Sequence, residues 1–233
     1  MAKRKRLVRK TRAPQRNTNW LLIGGVVLAV VVVVGLLALA FRDSGGSTSS
    51  NLIQYCQDNP DNCLAKGSED APVTIIEVSD YGCNHCRNFN LDTAGLLEDL
   101  YVTPGDVRWI TLPYALNAAT TLPAEASFCA AEQDRFDDYR LRMFQLQNTP
   151  GLFETAGLVQ VATELGMDAT DFAACIDDGT YSNAVQRNIR AASGAGVSST
   201  PTFVINNNVF PGNRPLTFFQ AEIAQILEAN DES

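Results

Sequence analysis

The chain has 233 residues and a formal net charge of −8, so it is long enough for one sizeable core and is acidic overall. Its charge is unevenly spread: all 26 acids lie at or after Asp43, where only nine Lys/Arg accompany them. That surface argues against nucleic acid and against an anionic lipid face as partners, since both recruit cations.

The first nineteen residues carry Lys3, Arg4, Lys5, Arg6, Arg9, Lys10, Arg12 and Arg16 and no acid. Then "WLLIGGVVLAVVVVVGLLALAF", Trp20 to Phe41, holds no charge. At about 1.5 Å per helical residue it is long enough to cross a hydrocarbon core of roughly 30 Å. The cations before it, against Arg42 alone just after it, predict a single-pass signal-anchor. The basic tail (1–19) is then cytoplasmic, and everything beyond residue 42 is extracytoplasmic at the cell membrane. A cleaved signal peptide and a buried core helix are the alternatives. Ala38-Leu39-Ala40 resembles a cleavage site, but a signal h-region usually stops at about 7–15 residues.

"RDSGGSTSSN", Arg42 to Asn51, reads as a flexible tether, and residues 42–69 as that tether plus a loop bearing Cys56 and Cys63. "PVTIIEVS", Pro72 to Ser79, is β-rich and mostly apolar, as a buried central strand is. Gly82 breaks it. "RNFNLDTAGLLEDLYV" then places Phe89, Leu91, Leu96, Leu97 and Leu100 at roughly helical spacing. "DVRWITLPY", Asp106 to Tyr114, is a second strand ended by Pro113.

A helical block follows, an insertion at about 117–195. "PAEASFCAAEQDRFDDYRLRMFQLQN" reads as one helix with Pro123 and Glu125 as start signals. "GLVQVATELG" closes on Gly166, "DATDFAACIDDG" runs from an Asp168 cap to Gly179, and "TYSNAVQRNIRAASGAG" is a fourth helix. "TPTFVINNNVFPG" is a hairpin signal, and "LTFFQAEIAQILEAN" a closing amphipathic helix. Strand-helix-strand, helical block, hairpin and helix together predict an α/β domain over 70–230: a mixed central sheet flanked by helices, with an inserted helical subdomain.

All six cysteines lie on the predicted extracytoplasmic side, where an even count suggests disulfides. Cys129 and Cys175 both fall in the helical block, and a bridge between them would pin two helices. Cys56 and Cys63 flank the turn-rich "QDNPDN" and would close on each other. Different pairings or free buried thiols are the rivals.

"SDYGCNHCRNF", Ser79 to Phe89, holds Cys83 and Cys86 with the chain's only histidine between them. Haem attachment wants C-x-x-C-H, and Arg87 stands in the last place. A structural zinc site wants four ligands, and Cys83, Cys86 and His85 give three at most. A purely structural disulfide this short would constrain little of the unfolded chain.

The redox reading has positive physics. Cys83 sits where a strand turns into a helix, so free N–H groups and the helix dipole favour its thiolate. A protonated His85 ring would favour it further, and stabilising the reduced form makes the disulfide a stronger oxidant. Cys86, one turn in, would resolve mixed disulfides. Glu77, in the strand that aims the motif, is either a carboxyl relaying a proton to or from Cys86 or an ordinary strand-face acid. Thr200-Pro201 opens the late hairpin, a place compatible with a cis bond.

C-N-H-C after a strand, a helical block, and "STPTFVINN" before a last helix resemble the thioredoxin superfamily. More closely, over roughly residues 70–230, the chain resembles the DsbA-like bacterial envelope disulfide oxidoreductases. The resemblance implies a thioredoxin fold with a helical insertion, Cys83 as nucleophile and Cys86 as resolving thiol. It also implies Pro201 as a cis-proline facing the disulfide, Thr200 offering backbone groups to a bound peptide, and Glu77 as the buried acid. Asn84 stands where the best-known members carry proline, at a dipeptide that tunes the potential. No metal or organic cofactor is expected, because the Cys83–Cys86 disulfide is itself the reagent. The expected substrates are exported proteins with free thiols, and the expected reoxidant is a membrane partner, DsbB-type or vitamin K epoxide reductase-like. A reductase (for instance in cytochrome maturation) or an isomerase is the rival within the class. A tethered peptide-binding or chaperone module is the rival outside it.

Overall fold

The computed structural model describes residues 48–206 and 208–231. The basic tail, the apolar span 20–41 and the start of the Gly/Ser tether lie outside the described residues. Among the described residues no helix is long and apolar enough to cross a membrane.

Two strands of unbroken β-formers organise the fold. β2 (Val73–Ser79) and β3 (Val107–Pro113) each have all but their second residue buried, as a strand covered on both faces must. They pair in parallel, with Ile75 opposite Trp109, Glu77 opposite Thr111 and Ser79 opposite Pro113. On the other edge of β2, β4 (Thr202–Ile205) runs antiparallel and continues through Asn206 into β5 (Asn208–Pro211). A short β1 (Leu64–Lys66) adds antiparallel to β3, giving the order β1-β3-β2-β4-β5.

The period of two then sorts side chains between two layers. Ile76, Val78, Ile110, Leu112 and Val204 enter one cluster with Leu52, Ala192 and Val197. Those partners come from α1 (Thr48–Asp58) and from α8 (Ser182–Gly194) and the turn after it. Ile75, Trp109, Phe203 and Ile205 face the other way, onto Phe89, Leu97, Phe219 and Ile223. There Phe89 belongs to α2 (Asn84–Asp92), Leu97 to α3 (Ala94–Leu97), and the last two to α9 (Leu216–Asp231).

The helical block builds a third cluster from α4 (Thr121–Ala131), α5 (Phe136–Leu146), α6 (Thr155–Glu164) and α7 (Ala169–Asp177). Tyr139, Met143, Phe144, Leu158 and Phe172 form its centre, and Cys86 of α2 is buried in it. The C-x-x-C motif is therefore where the block meets the sheet.

Three details differ from the sequence reading. The stretch read as tether and loop contributes α1 and β1, because Leu52 and Cys56, one helical turn apart, bury against the sheet. Cys56 and Cys63 then close a disulfide with Cα atoms 5.7 Å apart. The long helix expected after the motif breaks at Thr93 and resumes as α3 and a π turn, Glu98–Val102. Of its apolar residues, Phe89 and Leu97 are buried, whereas Leu96 and Leu100 are about half exposed. The helix expected from Pro123 onward is two helices, because Asp134 adopts a left-handed φ of 58° between α4 and α5. Cys129 of α4 and Cys175 of α7 are joined, S–S 2.04 Å, across that bundle.

Candidate active site

The motif is aimed by a clamped turn. Asp80, 1 % exposed, accepts the Gly82 N–H through Oδ1 at 2.6 Å. Through Oδ2 it accepts the Leu116 N–H and the Thr120 hydroxyl, each at 2.6 Å. Its carbonyl accepts the Cys83 N–H at 3.1 Å. A Cβ on Gly82 would lie 2.8 Å from Thr120 Cγ2, so a larger residue would push this turn off the helical block.

Cys83 emerges as the N-cap of α2, with extended backbone and its Sγ accepting the Cys86 N–H at 3.3 Å. A sulfur thus stands where a Ser or Asp oxygen commonly caps a helix. Its S–H donates to the Thr200 carbonyl at 3.2 Å. The Thr200–Pro201 peptide bond is cis and both residues are buried. Cys83 is half-buried, Cys86 wholly buried, and Asn84 and His85 are exposed on the first turn. Both Cys83 and Cys86 are free thiols in this structure.

The two thiols are driven apart electrostatically. The hydrogen bond from the Cys86 thiol, then the Thr200 side chain and the backbone N–H groups of Cys86 and His85, lower Cys83 to about 5 against an opposing burial penalty. Burial pushes Cys86 far up, and its hydrogen bond with Cys83 adds to it. Lower pKa on the accessible sulfur and higher on the hidden one is the arrangement expected of an attacked sulfur and its resolving partner. His85 enters through its backbone N–H, one of the groups that lower Cys83, and its ring is exposed on the first turn.

Beneath the pair lies a polar pocket in the strand face. Glu77 is fully buried; its Oε1 accepts Asn90 Nδ2–H at 2.8 Å and its Oε2 accepts Arg140 Nη1–H at 3.2 Å. Asn90 also donates to the Cys86 carbonyl at 3.0 Å, which ties the carboxylate to the helix carrying the thiol. Arg140, 5.5 Å over the Trp109 ring, comes from α5 and links the helical block to the strand. Among the described residues no three His, Cys, Asp or Glu side chains converge to hold a metal ion.

Asp80, Asn90 and Arg140 were not read from the sequence. Asn90 had a signal, its position four residues after Cys86 on one helical face. Arg140 had a weaker one, lying between Tyr139 and Met143 in a segment whose apolar spacing faces inward. Glu77 needed a buried cation, and only tertiary packing could name which.

A family profile described as thioredoxin matches residues 60–225. The chain belongs to the thioredoxin family. Among curated relatives, this family member is 26 % identical over 153 residues to disulfide bond formation protein D of Bacillus subtilis, covering 61 % of this chain and 67 % of that one. It is 28 % identical over 212 residues to the Na+/H+ antiporter NhaA of Herminiimonas arsenicoxydans. That match covers 88 % of this chain but 32 % of the antiporter, so the chain spans about a third of that relative's length. Of solved structures, oxidised BdbD from Bacillus subtilis superposes with a TM-score of 0.65 at 22 % identity, over 72 % of this chain and 94 % of that one. The thioredoxin-like α/β fold expected from the motifs is thereby established.

Proposed function

We propose that this thioredoxin-family chain is a DsbA-like thiol:disulfide oxidoreductase, held at the cell membrane by residues 20–41, that introduces disulfide bonds into exported proteins. The observation that carries this reading is the split between the sulfurs: an accessible Cys83 held near 5 beside a buried Cys86 held far above the usual thiol range. The Bacillus subtilis relative, disulfide bond formation protein D, points the same way.

In this reading a substrate thiolate attacks Cys83 Sγ of the Cys83–Cys86 disulfide. The S–S bond breaks, its electron pair goes to Cys86, and a substrate–Cys83 mixed disulfide forms. A second substrate thiolate attacks its own sulfur in that bond, and Cys83 leaves as a thiolate, a good leaving group because its pKa is low. The substrate is oxidised and the enzyme is left as the dithiol. Thr200 and Pro201 flank the sulfur and would hold the extended substrate backbone. Two electrons must then pass to a membrane reoxidant, DsbB-type or vitamin K epoxide reductase-like.

The test is the equilibrium of the Cys83/Cys86 couple against glutathione. An oxidising potential, toward the end of the thioredoxin-fold range near about −120 mV, is expected. A value near about −270 mV would reassign the chain to reduction.

A further inference from the structure

From Asp43 onward nine Lys/Arg face 26 acids, so a cation left without a carboxylate there is out of the ordinary. Among the described residues, Lys66, Arg108, Arg135, Arg140 and Arg142 each form an ion pair. Among those same residues Arg87, Arg187, Arg190 and Arg214 form none. Arg187 and Arg190 belong to α8, where Arg187 gives an Nη2–H to Asn62 Oδ1 at 3.0 Å. The other two stand on the elements that frame Cys83.

Arg87 follows Cys86 on α2, and its backbone N–H donates to the Cys83 carbonyl at 3.0 Å. Its Nε–H donates to the Phe144 carbonyl at 3.0 Å, which fixes the guanidinium at the seam between α2 and α5. Arg214 comes from the loop between β5 and α9, and that loop is stitched to the cis-proline. Gly212 N–H donates to the Pro201 carbonyl at 2.7 Å, and Pro211 lies opposite Thr202. Arg214 Nη2–H donates to the Pro211 carbonyl at 3.0 Å, and its guanidinium lies 5.3 Å over the Phe218 ring.

Each guanidinium is thus ordered by one backbone carbonyl and keeps further N–H groups that no acceptor among the described residues takes. The Nε of Arg214 is buried with no partner at all. Asp80, the carboxylate of the motif's own turn, does not serve them. It is buried and spends both oxygens on Gly82, Leu116 and Thr120. A fixed fork of N–H donors without a counter-ion suits the planar, two-oxygen acceptor of an Asp or Glu side chain. The segment that brings a thiol to Cys83 can supply one. Cys83 Sγ lies 3.2 Å from the Thr200 carbonyl, and Arg214 is tied to Pro211, across from Thr202. An extended chain advances about 3.3–3.6 Å per residue, so acids within about four residues of the attacking cysteine are in reach.

We propose that Arg87 and Arg214 are specificity-determining residues that bind carboxylates flanking the substrate cysteine, so that Cys83 reacts preferentially with thiols carried in acidic segments. The two guanidinium groups lend the rim of the site a positive charge that the rest of the domain lacks, and they hold the arriving chain by its acids. They exchange no proton and no electron. The bonds that form and break are those of the exchange reading above, on which this inference rests.

The test uses the full chain in detergent micelles, oxidised, and follows by stopped flow at pH 7 its reduction by short peptides with one central cysteine. The peptides differ only in whether two residues beside the cysteine are Glu, Gln or Lys. Each rate is divided by that peptide's rate with hydroxyethyl disulfide, a neutral reference that cancels differences in thiolate fraction. At low salt the Glu peptide should react about fivefold faster than the Gln peptide, and the Lys peptide more slowly than either. In the double variant Arg87→Gln with Arg214→Gln the Glu-to-Gln ratio should fall below about twofold. A merely structural role would move all three rates together and leave that ratio alone, so a double variant with the wild-type ratio overturns the proposal. Should the double variant fail to fold, the wild type decides by salt. Its ratio must shrink toward one as salt rises to about 0.5 M, and a ratio indifferent to salt overturns the proposal. A wild-type protein inert to every peptide would sink the exchange reading, and this inference with it. Peptides that all react, at equal normalised rates, sink the inference alone.

Discussion

The two faces of β2 do different work. Ile76 and Val78 enter an apolar cluster under α1 and α8, whereas Glu77, one residue out of phase, meets Arg140 and Asn90 of the helix that carries the thiols. One face of the strand thus buries only apolar side chains, while the other carries Val73 and Ile75 into the core and then the Glu77–Asn90–Arg140 network near its end. The polar side persists because each charge there has a fixed partner.

The comparison breaks if the faces prove interchangeable. The largest effect expected is from Cys83→Ser, which should abolish all turnover in a disulfide-formation assay while leaving the fold intact. Peptide-holding activity that survived it would favour a binding module instead. Next, Glu77→Ala leaves the buried Arg140 guanidinium only the half-exposed Asp137, 3.5 Å away, and should cost about 3 kcal/mol in urea unfolding. A loss below about 1 kcal/mol would mean that water reaches the site and that the pair is not buried in solution. On the opposite face, Ile76→Val should cost about 0.5–1.5 kcal/mol and leave the glutathione equilibrium untouched. A shifted equilibrium there would show that the faces are coupled. Smallest of all is His85→Ala. With its ring exposed and its backbone N–H retained, the Cys83 thiolate fraction and the redox equilibrium should move by less than about threefold. A larger change would restore the ring to the role its sequence position suggests.

Much of this was legible before any coordinates. The run "VTIIEVS", the break at Gly82 and the C-x-x-C at a helix start define the strand, the turn and the place of Cys83 at the helix N-terminus from local rules alone. The late Thr200–Pro201 and the hairpin were legible for the same reason. What stayed hidden is whatever depends on contacts distant in sequence. Arg140 pairs with Glu77 across 63 positions, and Asp80 grips Thr120 across 40. Neither partner carries a local mark, because a buried arginine and a surface arginine occupy the same helical pattern. Residues 48–66 misled for a related reason. "TSSN" has the composition of a linker, yet α1 holds through Leu52, Cys56 and a disulfide, none of which composition weighs.

The sulfur pair also carries a pH signature. An unfolded cysteine ionises near about 8.5. Cys83 in the reduced fold lies lower, at about 5, so its thiolate stabilises the dithiol form fully above the unfolded value and this stabilisation is lost as pH falls through 5. Unfolding of the reduced protein should therefore become easier, relative to the oxidised protein, on acidification across that window. Urea titrations of the two forms at a series of pH values would show the gap closing.

The central claim, an ionised nucleophile above a protonated buried partner, is tested most directly by alkylation of the reduced protein with iodoacetamide across pH 3–9, read residue by residue by mass spectrometry. The account predicts modification of Cys83 with a half-maximal rate near pH 5, and no modification of Cys86 at any of these values. A midpoint near 8.5, or label arriving first on Cys86, would contradict it.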